Sequence, residues 1–273
     1  MPAATGFQVA ILIFAFQFFT ALIASRAVSH LSWPRANLEF MGQLVLFSLA
    51  IVVLAAVPAL RRSCIEQLRR PLPPGGFLET AAVTLGKLAI PFAVSGAVVV
   101  WAFALGEPSL LATKLRSTDP LKAWEWTLSP AGLVRLIAIS WIVGPIVEEL
   151  VFRGFLYRAW ERQWGWIPAL VLTSACFALF HPTHMVSAFL GSVVFVCLLR
   201  RTGTLRASIL THMAFNFLIS WPLLGQYLFT LEGRELARMS TWTAELGSLV
   251  FVVIALPVYL ALSRADARTA AAR

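Results

Sequence analysis

The chain has 273 residues, of which 59% are hydrophobic and 13% are charged, against about 25% charged in a typical soluble domain. This composition excludes an ordinary water-soluble fold and predicts an all-α polytopic membrane protein. The formal net charge of +9 does not indicate nucleic-acid binding, because the basic residues are dispersed between apolar runs and form no basic face with interleaved aromatics.

The hydropathy pattern predicts about eight transmembrane helices, each a run of about 20 mostly apolar residues. The first is interpreted as a retained helix and not as a signal peptide, because no Lys or Arg precedes it and its uncharged run is longer than an ordinary h-region. The polar stretch 106–130 contains Pro and Trp and is predicted to lie along the outer surface. The predicted helices lie near 6–25, 40–60, 78–104, 131–150, 166–181, 185–199, 207–228 and 244–263.

Charges in the predicted loops favour a topology with both termini in the cytoplasm. With the N-terminus inside, twelve arginines fall in cytoplasmic loops or the C-terminal tail, and seven Arg and Lys residues fall on the opposite side. This asymmetry follows the positive-inside rule. We therefore expect an integral protein of a bacterial-type cytoplasmic membrane, surrounded by the lipid bilayer.

The fourth predicted helix contains the segment GPIVEELVFRG at 144–154. A charge inside an apolar helix costs roughly 2.5–3.5 kcal/mol on insertion scales and marks a candidate functional site. Glu149 and Arg153 are four residues apart in the favourable order, so they share a helix face and can pair. Glu148 points about 100° away from its neighbour and has no such partner, which leaves one desolvated carboxylate available as a general base. The alternative is a helix end that reaches headgroup water.

Pro145 lies just before the two glutamates. It removes a helical hydrogen bond and can kink the helix, which opens space for water.

Two further polar positions interrupt apolar helices. His181 ends the segment FALFH at 177–181 and precedes Pro182, which tends to stop the helix. His212 and Asn216 lie four residues apart on one face of a later helix. A lone histidine in a helix is more often a hydrogen-bonded structural residue than a catalyst. Two histidines and an amide, beside a helix with an unpaired carboxylate, favour a catalytic site.

The three motifs resemble those of a known family in their order and spacing. They are Glu-Glu-x-x-x-Arg at 148–153, Phe-x-x-x-His at 177–181 and His-x-x-x-Asn at 212–216. This pattern is similar to that of the CAAX-protease and bacteriocin-processing family of glutamic intramembrane proteases, also called the Abi or type II CAAX prenyl endopeptidase family.

The resemblance covers about residues 130–230 and suggests three parts of the chain. These are N-terminal transmembrane helices with a surface segment at 1–129, a protease core at 130–230, and a C-terminal transmembrane helix with a basic tail at 231–273.

The resemblance implies an intramembrane endopeptidase that hydrolyses a peptide bond of a membrane-associated protein or peptide, without a metal or another cofactor. By analogy, Glu148 with His181 would activate a water molecule. His212 and Asn216 would stabilise the oxyanion, a role that suits imidazole and amide N–H groups. The sequence specifies neither the substrate nor the oligomeric state.

The remaining motif residues, Glu149 and Arg153, would support this site as an ion pair.

The mechanism also requires Glu148 and His181 to lie at one depth in the membrane. The predicted boundaries place them near opposite ends of their helices. They can meet if the fourth helix runs unbroken from about 131 to 163, roughly 45 Å at 1.5 Å per residue.

Two other functions fit parts of the pattern. A zinc-dependent intramembrane protease would use Glu148 and the histidines, with His184 as a further ligand, but the His-Glu-x-x-His helix of many zinc proteases is absent. A non-enzymatic immunity or transport protein would use buried carboxylates for ion coupling. Transporters usually have related halves, and the sequence shows none.

Two other charged residues lie outside the motifs. Glu79 and Lys87 lie near predicted helix ends, where snorkelling of their charged groups accounts for them.

Overall fold

The computed structural model describes Gln8 and residues 35–106, 130–229 and 242–271. All regular secondary structure in these ranges is helical, which confirms the all-α class. The predicted first span at 6–25 and the predicted surface segment at 106–130 lie almost entirely outside the described residues.

Eight helices lie in the described ranges, and seven of them begin within five residues of the first residue of a predicted span. They are α1 (Arg35–Ala56), α2 (Pro58–Arg69), α3 (Gly76–Ala104), α4 (130–164), α5 (Trp166–Leu179), α6 (Met185–Thr202), α7 (Leu205–Phe229) and α8 (Trp242–Ala271).

The helix that the hydropathy pattern did not predict is α2, which is short and amphipathic. It begins at Pro58, which has no N–H to continue the hydrogen-bond ladder of α1, and the chain bends by 96° at this point. Leu60 and Cys64 are buried on its inner face. Gln67 donates a hydrogen bond from Nε2 to the carbonyl oxygen of Gly154 at 3.3 Å. α2 therefore packs across α4 beside the predicted site.

α4 is continuous from 130 to 164, well beyond the predicted end at 150, but its hydrogen bonding alternates. Two π-helical segments interrupt the α-helix. Such segments are rare and occur frequently at functional sites. In chain order, α4 consists of α-helical Pro130–Arg135, π-helical Leu136–Val143, α-helical Gly144–Glu148, π-helical Glu149–Tyr157 and α-helical Arg158–Trp164.

α4 and α5 form an antiparallel pair joined at Gly165. Its φ of 81° lies in the left-handed region that favours glycine. Phe152 of α4 packs edge-on against Phe177 of α5, with ring centroids 5.2 Å apart. Glu148 and His181 lie almost equally far along the chain from Gly165. Antiparallel packing therefore brings these two residues to a similar depth, although they belong to different helices.

Several helices are suited to a membrane. Gly76–Ala104, Met185–Thr202 and the Ala244–Arg264 part of α8 are long and apolar enough to cross it, and the bent pair formed by α1 and α2 is a fourth candidate. α5 is apolar but has only 14 residues, fewer than the roughly 20 that a perpendicular span needs. These helices support an integral membrane protein, and the count of eight spans stays a prediction.

α3 and α8 form the most extensive helix pair in the described structure. The two helices approach each other closely at Gly96, where an added Cβ would lie 2.6 Å from the carbonyl oxygen of Glu245. Beside this contact, Ser95 donates a hydrogen bond from Oγ to Glu245 Oε1 at 2.8 Å. Glycine permits this approach of two backbones because it has no side chain.

Replacement of Gly96 is therefore expected to weaken the contact between α3 and α8. Gly96→Ala should lower the free energy of unfolding by about 1–3 kcal/mol, the usual cost of overpacking. The thermal midpoint in detergent measures this loss. Gly247→Ala is the matched control, because a Cβ at this α8 position meets nothing within 4 Å. A Gly96→Ala protein that melts at the wild-type temperature would contradict the packing described here.

Candidate active site

The first feature of the site is a fully buried ion pair within α4. Arg153 Nη1 lies 3.1 Å from Glu149 Oε1, and neither side chain is exposed. The guanidinium carbon of Arg153 is 4.5 Å from the ring centroid of Phe177 and 4.9 Å from that of Phe195. A guanidinium that faces aromatic rings is stabilised by their negative faces. The pair is thus enclosed by phenylalanines of α5 and α6.

Glu149 has a second contact, which the sequence did not predict. Its Oε1 lies 3.0 Å from His212 Nδ1. An ionised carboxylate can only accept, so Nδ1 carries the proton of this hydrogen bond. The other ring nitrogen, Nε2, lies 3.8 Å from Glu148 Oε2. His212 therefore stands between the two glutamates of the first motif, with one ring nitrogen directed towards each carboxylate.

The two adjacent glutamates have different surroundings. The side chain of Glu148 is 21% exposed, whereas that of Glu149 is not exposed at all. The exposed part of Glu148 faces a cavity, whose wall does not include Glu149. The sequence argument that separated a paired carboxylate from an accessible one agrees with this geometry.

His181 lies at the end of α5 with a defined tautomer. Its Nδ1 is 2.8 Å from the carbonyl oxygen of Phe177, and a carbonyl only accepts, so Nδ1 is the donor. In the neutral imidazole, Nε2 then carries a lone pair. The ring of Phe177 packs against His181 at 4.5 Å between centroids. Phe177 therefore orients His181 through its carbonyl and contacts Arg153 through its ring.

Asn216 contacts α4 at the point where Pro145 disturbs the helix. In the π-helical pattern, the carbonyl of Ser140 would accept a hydrogen bond from residue 145, but proline has no N–H. Asn216 instead donates from Nδ2 to this carbonyl at 2.7 Å. Pro145 thus leaves an acceptor that fixes the Asn216 amide against α4.

These side chains meet at a cavity of about 450 Å³ between α3, α4, α6, α7 and the end of α5. The four residues predicted to be catalytic line it, and the supporting pair, Glu149 and Arg153, lies behind its wall. The polar side chains on the wall are Lys87, Ser140, Glu148, His181, His184, Ser187, His212, Asn216 and Ser220.

His184 is on this wall but lies towards the outside. It is exposed in the loop between α5 and α6, and its ring centroid is 5.1 Å from that of His181. In the part of the chain that the structure describes, no group of three or more His, Cys, Asp and Glu side chains is arranged to hold a metal ion. Zinc sites in proteins use three or four such ligands. A reaction without metal stays a prediction.

Snorkelling does not explain Lys87. Lys87 is only 7% exposed, and its Nζ lies 3.0 Å from the ring centroid of Phe215 and 4.7 Å from that of Phe195. Glu79, in contrast, lies in the first turn of α3, near a helix end as predicted, where it pairs with Arg201 of α6. A lysine in the interior of a long apolar helix is itself a signal of function, and helix-end reasoning missed it because α3 begins eleven residues earlier.

α2 connects the helices of the site at one end. The hydroxyl of Thr204, just before α7, shares its single hydrogen between the carbonyls of Gln67 at 3.1 Å and Arg70 at 2.9 Å. Gln67 in turn donates to the carbonyl of Gly154. The end of α2 therefore links the helix that carries the His-x-x-x-Asn motif to the π-helical segment Glu149–Tyr157.

Comparison with known protein families gives a match over part of the chain. Residues 130–218 match the family described as type II CAAX prenyl endopeptidase Rce1-like. The matched range extends from the start of α4 into α7 and contains all three motifs. Comparison with curated proteins and with solved structures gives no significant match. The family match confirms the resemblance seen in the motifs: residues 130–218 of this integral membrane protein are similar to the type II CAAX prenyl endopeptidase Rce1-like family.

Proposed function

We propose that the protein is an intramembrane endopeptidase in which Glu148 and His181 activate a water molecule and His212 and Asn216 stabilise the oxyanion. The observation that carries this proposal is the difference between the two adjacent carboxylates. Glu148 faces the cavity, whereas Glu149 is buried and paired. A general base must reach the water and the substrate, and Glu148 is the glutamate with that access.

His181 supports the positioning of the water. Its Nδ1–H is held by the Phe177 carbonyl, so its Nε2 lone pair can accept a hydrogen bond from a water in the cavity. Glu148 accepts the other hydrogen of the same water. With both hydrogens directed to the protein, an oxygen lone pair is free to approach the scissile carbonyl carbon, which is the orientation that hydrolysis needs.

Glu148 carries one proton from the attacking water to the leaving amine. Attack forms a bond between the water oxygen and the carbonyl carbon, moves the carbonyl π electrons onto oxygen and transfers one water proton to Glu148. When the tetrahedral intermediate collapses, the C=O bond re-forms and the C–N bond breaks. Glu148 returns its proton to the leaving amine and is ionised again.

His212 can donate to the oxyanion only from Nε2, because its Nδ1–H is directed to Glu149. This requires the doubly protonated ring. The charge-assisted hydrogen bond from Nδ1 to Glu149 favours an imidazolium, and so does the carboxylate of Glu148, which lies 3.8 Å from Nε2. Asn216 contributes the N–H that does not bond to Ser140. The two donors lie on one face of α7, four residues apart.

The proposed substrate is a membrane-associated protein or peptide in a bacterial-type cytoplasmic membrane. A cavity of about 450 Å³ has the size of a small-molecule pocket, so it admits a short peptide segment and excludes a folded domain. Mapping of membrane-protein termini in cells with the wild-type protein and with the Glu148→Gln variant tests the proposal. Termini that require the wild-type protein identify the substrate, and identical sets of termini would contradict a protease.

The two glutamates should respond differently to the same amide substitution. Glu148→Gln should keep the fold and lower turnover by at least about 10²–10⁴, the usual contribution of a general base. Glu149→Gln should lower the free energy of unfolding by about 3–5 kcal/mol, because it leaves Arg153 buried without its counter-charge. Turnover and the thermal midpoint in detergent are measured on both variants. Equal effects of the two substitutions on both quantities would contradict the assignment.

The proposed mechanism needs no metal, which leads to a further expectation. Purified protein should keep its turnover after dialysis against millimolar EDTA or phenanthroline, and His184→Ala should change turnover little. Loss of turnover under chelation that added zinc restores would favour the metalloprotease alternative, since metal ligands and a metal-bound water would then carry the chemistry.

A further inference from the structure

The cavity wall contains a lysine, Lys87, that the proposed mechanism does not use. Lys87 projects from the interior of α3 and is buried. Within the described part of the chain, no carboxylate oxygen lies within salt-bridge distance of its Nζ. A buried basic group without an acidic partner is costly and in a membrane protein marks a functional position.

The surroundings of Lys87 direct its amino group towards the catalytic face of α7. Phe215, whose ring centroid is 3.0 Å from Nζ, lies between His212 and Asn216 in sequence and on the same side of the helix. Phe195 links the same groups, because its centroid is 4.7 Å from Lys87 Nζ and 4.7 Å from the ring centroid of His212. Both aromatic rings stabilise an ammonium in this position.

Gly191 of α6 provides the space for this side chain. A Cβ at Gly191 would lie 2.9 Å from Lys87 Cε and 3.3 Å from Nζ. α6 therefore has its smallest residue where the end of the lysine passes. The lysine is held by packing on three sides, and its amino group faces the cavity that contains Glu148.

The other N–H donors on the wall are partly engaged by the protein. Nδ1–H of His212 bonds to Glu149, one N–H of Asn216 bonds to Ser140, and Nδ1–H of His181 bonds to a backbone carbonyl. A tetrahedral intermediate develops a full negative charge in a cavity with mostly apolar walls. Preorganised charged donors have their largest effect in such surroundings.

We propose that Lys87, in its ammonium form, is a further oxyanion group and donates a hydrogen bond to the carbonyl oxygen as it becomes negative. The inference rests on the proposed function and adds a catalytic residue from outside the three motifs. An ammonium on a flexible stem presents three donors. Its interaction is weak with a neutral carbonyl and strong with the oxyanion, so it acts on kcat and not on KM.

The experiment compares Lys87→Met with the wild-type protein on a synthetic peptide that spans the cleavage site found by terminus mapping. Removal of one oxyanion donor should lower kcat by about 10²–10³-fold, with little change in KM. A peptide phosphonate of the same sequence, which carries a tetrahedral anionic group, should lose affinity in parallel. Lys87→Arg retains the charge and should recover part of kcat. Arg62→Met, on the exposed side of α2, is the control for loss of one positive charge.

Three outcomes would overturn the inference. The first is an unchanged kcat in Lys87→Met. The second is a rise in KM alone that disappears with a C-terminally amidated peptide, because Lys87 would then bind a substrate carboxylate. The third is a lowered thermal midpoint in both Lys87 variants with unchanged phosphonate affinity, which indicates a packing role. Absence of turnover in the wild-type protein would instead overturn the proposed function, and the inference with it.

Discussion

Glu149 and Arg153 bring two opposite charges into the interior of the helix bundle at 3.1 Å. Neither charge is stable there alone, because desolvation of a single buried ion costs several kcal/mol. Their burial turns this face of α4 towards the bundle, where the rings of Phe177 and Phe195 lie against the guanidinium. Three helices are thus held in register by one ion pair. Glu149 also accepts a hydrogen bond from His212, which connects a fourth helix, α7, to the ion pair.

The local chemistry of the site follows from this arrangement. With Glu149 turned inward, its neighbour Glu148 faces the cavity on the adjoining side of the helix, and His212 reaches both carboxylates. Phe177 connects the second motif to the ion pair, because its ring lies on Arg153 and its carbonyl holds His181. The phenylalanine of the motif therefore has two structural roles: its ring packs against Arg153, and its carbonyl orients His181.

The sequence predicted the helices and the faces within each helix more closely than the contacts between helices. Spacing of four residues correctly paired Glu149 with Arg153, since that contact is local. The contact between Glu149 and His212 depends on the relative rotation of two helices, which periodicity does not specify. The π-helical segments of α4 were also not predicted; some of their carbonyls accept hydrogen bonds from other helices, from Asn216 and Gln67 among them, and periodicity does not specify such contacts. Lys87 was misinterpreted as a helix-end residue, although nine residues of the predicted span 78–104 precede it.

The account depends most on the claim that the buried pair both stabilises the bundle and holds His212 beside Glu148. A double-mutant cycle of Glu149→Gln and Arg153→Met, with the thermal midpoint and turnover measured for all four proteins, tests this claim directly. We predict that the double variant is more stable than either single variant, since no unpaired charge remains. Its turnover should stay below the wild-type value, because His212 has lost its orienting carboxylate. Additive losses of stability, or a double variant with wild-type turnover, would contradict the account.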